Sequence, residues 1–548
     1  MADIGNAGHP AVSPAEMRAM LDAMVRHEGE LALIDVREEG VFSEEGHLFF
    51  ANSLPLSRLE LLARDLVPRR ETRIVVYDGG GEGLAERAAA KLAGMGYGNV
   101  AVMAGGTGAW AKAGYELFTG INVPSKAFGE LVEHRCGTPH IAAAELKRRV
   151  DAGEDVLIVD SRPLPEFRNM SIPGAFDCPG AELVYRVPDR VRAADSLVVV
   201  NCAGRTRSII GAQSLRNAGL ANQVVALENG TMGWELAGLE LARGREEALP
   251  PPSPAGLAEA RRLADGVAHR FEIGRIDDAA LARFQSERDE RTLYVFDVRG
   301  PEEYRDGHLP GSRSAPGGQL VQATDTYMAT RNARIVLVDD DGVRGVMTGS
   351  WLKQMGWPEI YVLDGGLAGR NLERGTPATD IPELAAPVAT VTPAELQALS
   401  AAGEATVIDL APSLAYEAGH IPGAWFAVRA RLPGSLGRVP QRRVLVLTSP
   451  DARLARLAAA DLSGSAAVFG EIKVLAGGTE AWRAAGLPLK GDREAMADTP
   501  DDCWRRAYDP YALPGARERY LKWEIELVHQ IAREGDTGFR VAAAAAGD

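Results

Sequence analysis

Short apolar runs alternate with longer helix-type stretches along most of the chain. The clearest series consists of apolar residues at 156–159, 197–200 and 224–227, with helix-type stretches between and after them. Strands that are separated by helices predict a parallel sheet with helices on both faces. Two helix starts are also marked, because 13–16 and 392–395 are capping boxes with proline at the first helical position. The pattern therefore predicts an α/β protein.

Two sequence markers recur four times along the chain. One is an aspartate that ends an apolar strand, and the other is a glycine in a later turn: Asp35, Asp160, Asp297 and Asp409, then Gly106, Gly230, Gly366 and Gly478. The spacings of the two sets agree to within one residue, which predicts four copies of one unit. We place the units at 10–125, 126–246, 259–380 and 381–492. A Pro-rich linker at 247–258 is expected to separate two pairs of units, and 493–548 is expected to form a helical tail.

Composition and charge narrow the class of protein. The 548-residue chain has 75 acidic and 60 basic residues and a formal net charge of −15, which argues against a nucleic-acid or membrane-surface partner. No apolar run is long enough for a membrane span, and the N-terminal residues lack the apolar core of a secretory signal. The four cysteines have no CxxC spacing, so we expect no disulfide framework, zinc site or other cofactor. These features predict a cytoplasmic protein.

Several short motifs resemble those of the rhodanese (sulfurtransferase) superfamily. They are the D-x-R after the first core strand, the turns GHLPGS at 307–312 and GHIPGA at 419–424, the glycine pair before a Trp-bearing helix, and the loop NCAGRTRS at 201–208. The resemblance covers roughly residues 10–492. It implies four tandem rhodanese-like domains, each a parallel sheet flanked by helices, and sulfur transfer through the cysteine that begins the loop.

The equivalent loops of the four units differ in one decisive position. The second unit has Cys202, whereas the first has Asp78 and the third has Asp339 in that place. The fourth unit has Thr448 or Ser449 there, and the sequence leaves the choice between them open. Thiol chemistry is therefore predicted for the second unit alone, with the other three units inactive.

The loop around Cys202 has features that favour an anionic sulfur. We expect the loop to lie at the carboxyl edge of the sheet, with a helix starting near Ser208 and directing its positive end towards the sulfur. Gly204 allows the backbone N–H groups to converge on an anion, and Arg205 and Arg207 add positive charge. The predicted site therefore comprises the catalytic Cys202, and an anion-binding loop of Ala203, Gly204, Arg205, Thr206, Arg207 and Ser208.

These residues predict double-displacement sulfur transfer. The Cys202 thiolate would take the outer sulfur of a small anionic donor such as thiosulfate, and a thiophilic acceptor, cyanide or a thiol, would then remove it. The loop is Cys-x4-Arg, shorter than the Cys-x5-Arg loop of phosphatases with a related fold, so phosphatase activity is disfavoured. Two alternatives stay open: 3-mercaptopyruvate as the donor, and a non-enzymatic persulfide carrier or sensor that binds a sulfur-acceptor protein.

The remaining polar residues receive structural assignments. Asp160 and Arg162 are expected to form an ion pair that supports the site, and Glu166 and Arg168 are expected to be solvated helix charges. Three further cysteines and two histidines are assigned to packing and turns: Cys136, Cys178, Cys503, His308 and His420. The three units without the cysteine are either scaffolds for the active unit or modules that recognise a partner, and the sequence does not separate these roles.

Overall fold

Four parallel sheets flanked by helices form the protein, which confirms the predicted α/β architecture. The structure, a computed structural model, describes residues 8–377, 387–462, 469–509 and 511–542. The predicted boundary between residues 380 and 381 lies outside these ranges. The strands of the four units are, in order, Ala11–Val12, Leu31–Asp35, Asn52–Ser53, Ile74–Tyr77 and Val100–Met103; His140–Ile141, Val156–Asp160, Phe176–Asp177, Leu197–Asn201 and Val224–Leu227; Gly274–Ile276, Leu293–Asp297, Arg313–Ser314, Arg334–Val338 and Glu359–Leu363; and Thr390–Val391, Ala405–Asp409, Trp425–Phe426, Val444–Thr448 and Glu471–Leu475.

All four sheets have the same strand order. The first strand of each unit lies beside the fifth, followed by the fourth, the second and the third. These strands are parallel, so their carboxyl ends meet at one edge of each sheet, where open α/β sheets bind ligands. In the second unit, Asp160 pairs with Asn201, which places the end of one strand directly beside the start of the cysteine loop.

The helices follow the strands as the alternating pattern predicts. Within the units they are Pro14–Val25, Glu39–Glu45, Leu59–Leu66, Leu84–Gly94 and Gly106–Lys112; Ala143–Asp151, Leu164–Asn169, Leu183–Arg186, Thr206–Asn217 and Gly230–Leu236; Asp278–Ser286, Pro301–Asp306, Gly317–Gln322, Thr324–Tyr327 and Arg344–Gln354; and Pro393–Ala401, Ser413–Ala418, Leu432–Ser435, Arg453–Asp461 and Gly478–Ala484. Both predicted capping boxes are formed, by Ser13 with Glu16 and by Thr392 with Glu395.

Three further helices lie outside the repeated pattern: Val123–Cys136, Pro254–Arg270 and Ala516–Glu534. The first, here called the bridging helix, crosses the predicted boundary at 125/126. The second begins inside the predicted linker, which is extended only as far as Ser253 because Pro254 starts the helix under a serine cap. The third is the only helix in the described part of the predicted tail, since 493–509 and 511–515 form turns and extended segments.

The units associate differently from the expected pairs on either side of the linker. The second and third units pack through Gly180–Glu182 and Gly317–Gln322, and the first and fourth meet where Glu60 pairs with Arg429. The short strand Thr330–Arg331 of the third unit also joins the sheet of the first, antiparallel to Leu31–Asp35. One hydrophobic cluster runs through the first three units and the tail helix, whereas the core of the fourth unit is separate. The units therefore form one packed assembly.

Candidate functional site

Cys202 lies where strand Leu197–Asn201 gives way to the loop before helix Thr206–Asn217. The helix starts at Thr206, two residues before the expected start near Ser208. Cys202 is 1% exposed, and its Sγ donates a hydrogen bond to the Ser208 hydroxyl at 3.5 Å. That hydroxyl in turn donates to the Arg205 carbonyl at 2.8 Å, so the loop closes on itself around the sulfur.

The equivalent loops of the first and third units, which lack the cysteine, show what this backbone binds. In the first unit the Asp78 carboxylate accepts hydrogen bonds from the backbone N–H groups of Gly80, Leu84 and Ala85, at 2.8 to 3.1 Å. In the third unit the Asp339 carboxylate accepts from the backbone N–H groups of two loop and helix glycines, at 3.0 and 2.8 Å. Each loop is therefore a nest of N–H donors that surrounds a negative charge.

A glycine of the second marker contacts the same loop in every unit. A Cβ on Gly230 would lie 2.3 Å from the carbonyl oxygen of Cys202, and one on Gly478 would lie 2.1 Å from that of Ser449. The residue after each glycine also donates its backbone N–H to that carbonyl, at 2.9 Å for Cys202 and 3.0 Å for Ser449. The contact places Ser449, rather than Thr448, in the position equivalent to Cys202.

The two arginines of the loop have different partners. Arg205 points away from the sulfur and forms ion pairs with Glu130 and Glu133 of the bridging helix. Arg207 pairs with both carboxylate oxygens of Glu166, at 3.0 and 2.8 Å. Glu166 is therefore not the solvated helix charge that the sequence suggested, because it faces the guanidinium of the loop. Burial opposes the ionisation of Glu166, but the charge and hydrogen bonds of Arg207, together with the charge of Arg162, outweigh it and lower the pKa to about 2.

Burial dominates the ionisation of Cys202. It raises the pKa of the thiol above its ordinary value, although the positive charge of Arg207 and the hydrogen bond with Ser208 oppose the shift. Arg207 and the loop hydrogen bond therefore act in the expected direction, but burial outweighs them in the resting protein. The reason is that the sulfur is enclosed and that both arginines are already paired with carboxylates.

A pocket beside the loop is built from four separate parts of the chain. It has an empty volume of about 620 Å³, counting its open mouth. The bridging helix supplies Lys126, the second unit supplies Ala203 and Arg207, the third unit supplies Gln319, and the tail supplies Tyr508. The third unit, which lacks the cysteine, therefore forms one wall of the pocket next to Cys202.

The charges that line this pocket are mainly positive. Lys126, Arg207 and Arg506 border it, and among the described lining residues Glu166 is the one acid. This excess of positive charge contrasts with the net charge of −15 for the whole chain. A pocket of this kind favours a small anion.

Lys126 and the aromatic residues of the tail were not found by the sequence analysis. Lys126 lies more than seventy residues before the loop, so nothing local connects it with Cys202. The one available signal is the concentration of aromatic residues between 504 and 523, namely Trp504, Tyr508, Tyr511, Tyr520 and Trp523, in a chain whose aromatic content is 6%.

The supporting residues lie where the sequence placed them. Arg162 and Asp160 form a fully buried ion pair, with Nε–Oδ1 and Nη2–Oδ2 distances of 2.8 and 2.7 Å. The Asn201 amide donates to the same carboxylate at 2.6 Å, which ties the pair to the strand that carries Cys202. Arg168, in contrast, is half exposed and pairs with Glu246 at the surface.

The other cysteines and histidines lie in structural positions. All four cysteines are free. Burial raises the pKa of Cys503 to about 12 and that of Cys178 well above its ordinary value. The rings of His308 and His420 stack on tyrosines of their own turns. Within the described ranges, no group of three or more His, Cys, Asp or Glu side chains could hold a metal ion. The described helices also include none with the length and apolar character of a membrane span.

Comparisons with known proteins agree with this architecture. The structure is similar to the crystal structure of a thiosulfate sulfurtransferase from Pseudomonas aeruginosa, with a TM-score of 0.91, 46% sequence identity, and coverage of 97% of this chain and 99% of that one. Shorter matches are an HTH-type transcriptional regulator of Mycobacterium tuberculosis, 38% identical over 111 residues, and the thiosulfate sulfurtransferase GlpE of Pseudoalteromonas translucida, 26% identical over 80 residues.

The match to the regulator covers 20% of this chain and 47% of the regulator, so the chain spans about half the length of that protein. The match to GlpE covers 14% of this chain and 72% of GlpE. The model of the rhodanese-like domain matches residues 13–113, 142–237, 279–371 and 392–485. Each match falls on one of the four sheets, and together they account for most of the chain. The protein therefore belongs to the rhodanese family, with four rhodanese-like domains in tandem.

Proposed function

We propose that the protein is a sulfurtransferase that moves the outer sulfur of thiosulfate to a thiophilic acceptor through a persulfide on Cys202. The observation that carries the proposal is the place of Cys202 in its loop. In two other units the equivalent position has a carboxylate, Asp78 or Asp339, held by backbone N–H groups, whereas here it has a sulfur that is hydrogen-bonded to Ser208. The loop is thus suited to an anion on Cys202, as a thiolate or as a persulfide.

The two half-reactions balance in atoms and charge. The Cys202 thiolate attacks the outer sulfur of thiosulfate, a new S–S bond forms, and the old S–S bond breaks with its electron pair leaving on sulfite. Cyanide or a thiolate then attacks the outer sulfur of the persulfide, and the Cys202 thiolate is released. Because burial raises the pKa of Cys202, the resting group is a thiol, and its proton passes to solvent before the first attack. The positively charged pocket supports an anionic donor, and the similarity to the Pseudomonas aeruginosa enzyme supports thiosulfate in particular.

The competing proposals differ in donor or in turnover. The carboxylate of 3-mercaptopyruvate would also suit Arg207 and Lys126, and a persulfide carrier would load sulfur without rapid release to a small acceptor. The walls built from the third unit and the tail favour a scaffolding role for the inactive parts of the chain. The free cysteines are compatible with a cytoplasmic location, which we keep as part of the proposal.

Intact mass spectrometry after incubation with a donor tests the proposal. Wild-type protein should gain one sulfur atom from thiosulfate, cyanide should remove it, and Cys202→Ser should gain none. Cys178→Ser is the matched control, because Cys178 is equally buried, and it should load like wild type. Faster loading from 3-mercaptopyruvate would identify that compound as the donor, and loading without repeated turnover to cyanide would identify a carrier. Loading of Cys202→Ser would contradict the assignment of the nucleophile.

A further inference from the structure

Lys126 enters the pocket from a helix that belongs to none of the four sheets. The bridging helix packs between helix Thr206–Asn217, which follows the cysteine loop, and the tail helix Ala516–Glu534. Close packing is possible because Gly129 lies against Thr206, where a Cβ would be 2.7 Å from the threonine methyl group. Lys126 is about one turn before Gly129, so its side chain reaches the pocket that Arg207 also lines.

The ammonium group of Lys126 is buried without a carboxylate partner. The residue is 3% exposed, and its Nζ donates one hydrogen bond, to the Ile121 carbonyl at 2.7 Å. No described carboxylate forms an ion pair with it, whereas both arginines of the cysteine loop are paired. The negative charges of Glu524 and Asp325 act on it only from beyond ion-pair distance. Burying a cation without an ion-pair partner is costly, and such a group in a pocket is typical of a binding site for an anion.

Aromatic rings of the tail hold this ammonium group in place. Nζ lies 5.0 Å from the ring centroid of Trp504, 5.4 Å from that of Tyr520 and 4.8 Å from that of Trp523. Cation–π contacts stabilise the charge without neutralising it. Burial still lowers the pKa of Lys126 to about 8, so the protonated form predominates at neutral pH.

We propose that Lys126 and Arg207 form an oxyanion subsite that selects sulfur donors carrying a second negative charge. This inference rests on the proposed function and extends it to donor specificity. In thiosulfate the outer sulfur faces Cys202, and the three oxygens of the other end face the subsite. When the S–S bond breaks, its electron pair passes to the departing sulfite, so the charge beside Lys126 increases during the reaction. Lys126 therefore acts on both binding and the first transfer step.

Two donors that differ in one charged oxygen test the proposal. Methanethiosulfonate has the same reacting sulfur as thiosulfate, but a methyl group replaces one oxygen, so it carries one negative charge. Lys126→Met keeps the length of the side chain and its packing on the aromatic rings. We expect this change to lower kcat/KM for thiosulfate about tenfold to hundredfold, the range for loss of one charge-assisted hydrogen bond, and to change that for methanethiosulfonate much less. Lys126→Arg should restore the preference for thiosulfate.

A matched control and a binding measurement complete the experiment. Lys147→Met removes one lysine charge at an exposed helix position, and both kinetic constants should stay at wild-type values. In a Cys202→Ser background, where no persulfide forms, calorimetry should show that Lys126→Met weakens sulfite binding about tenfold or more. This binding result does not depend on sulfur transfer, so it separates the subsite from the proposed function.

Equal losses for the two donors in Lys126→Met would show that Lys126 only packs the pocket, and unchanged constants would show that it has no role there. Either result would overturn the subsite while leaving sulfur transfer through Cys202 intact. A wild-type protein that takes sulfur from neither donor, but binds sulfite in a Lys126-dependent manner, would instead overturn the proposed function.

Discussion

At the residue scale, the reactivity of Cys202 depends on two opposing influences. Burial disfavours the thiolate, and the charge of Arg207 together with the Ser208 hydrogen bond favours it. The net shift of the Cys202 pKa is upward, so in the resting protein this residue is mainly a thiol at neutral pH. A persulfide is a stronger acid than a thiol, so the charge of Arg207 and the hydrogen bond with Ser208 are better matched to the loaded state.

The first prediction concerns the titration of this thiol. The Cys202 pKa, measured as the difference in ultraviolet thiolate absorbance between wild type and Cys202→Ser, should lie above that of an ordinary cysteine. Arg207→Met should raise it further, because the opposing positive charge is gone. Loading by thiosulfate should accelerate as the pH rises towards this value.

Arg168→Met provides the control for the titration. It makes the same chemical change on helix Leu164–Asn169, but at a half-exposed arginine that pairs with Glu246. The Cys202 pKa should stay at the wild-type value in this variant. A pKa for Arg207→Met at or below the wild-type value would show that Arg207 does not act on the sulfur.

At the element scale, the recurring glycine explains why two distant markers keep the same spacing. Gly230 has φ +56°, and its Cα hydrogen faces the backbone of the cysteine loop, where no side chain would fit. Gly478 has φ +64° and the same relation to the loop at Ser449. The strand end and the later turn are thus two halves of one contact, which each unit repeats whether or not it has the cysteine.

The second prediction uses this repetition as its own control. Gly230→Ala and Gly478→Ala introduce the same strain, since each places a Cβ within 2.3 Å of a carbonyl oxygen at a positive φ. Each should lower the free energy of unfolding by about 2 kcal/mol or more, as measured by denaturant titration. Persulfide loading should fall in Gly230→Ala and stay near wild type in Gly478→Ala. Equal loading in the two variants would show that the loop tolerates the displacement.

At the scale of the whole molecule, local patterns predicted the units but not their assembly. The alternation of strands and helices, the Asp160–Arg162 pair and the place of Cys202 after its strand all depend on residues close together in the chain. They can therefore be predicted from the sequence directly. The pairing of the units depends on surfaces far apart in the chain, for which no periodic signal exists. For the same reason the sequence did not reveal Lys126, or Glu166 as the partner of Arg207, because both reach the loop only after folding.

The contact between the first and fourth units illustrates such a long-range interaction. Arg429 donates to both carboxylate oxygens of Glu60 at 2.8 Å, and Lys91 and Asp461 extend the pair into a network. Burial opposes the ionisation of Glu60, but the hydrogen bonds with Arg429 and Lys91 outweigh it and lower the pKa to about 2. None of these four residues is among the described residues that line the pocket.

The third prediction follows from the lowered pKa of Glu60. A carboxylate whose pKa falls on folding stabilises the protein above its unfolded pKa, and the stabilisation is lost as the pH falls through the folded value. Glu60→Gln should therefore lower the free energy of unfolding at neutral pH, by about 3 to 5 kcal/mol for a buried pair with one partner removed. The difference from wild type should shrink between pH 4.5 and about 2, as Glu60 itself becomes protonated.

Denaturant titrations of both proteins across this range, together with sulfur loading at neutral pH, provide the measurement. Sulfur loading should be unchanged, because Glu60 acts on the assembly of the units and not on the pocket. A loss of loading with unchanged stability would mean instead that the contact between the first and fourth units affects the site.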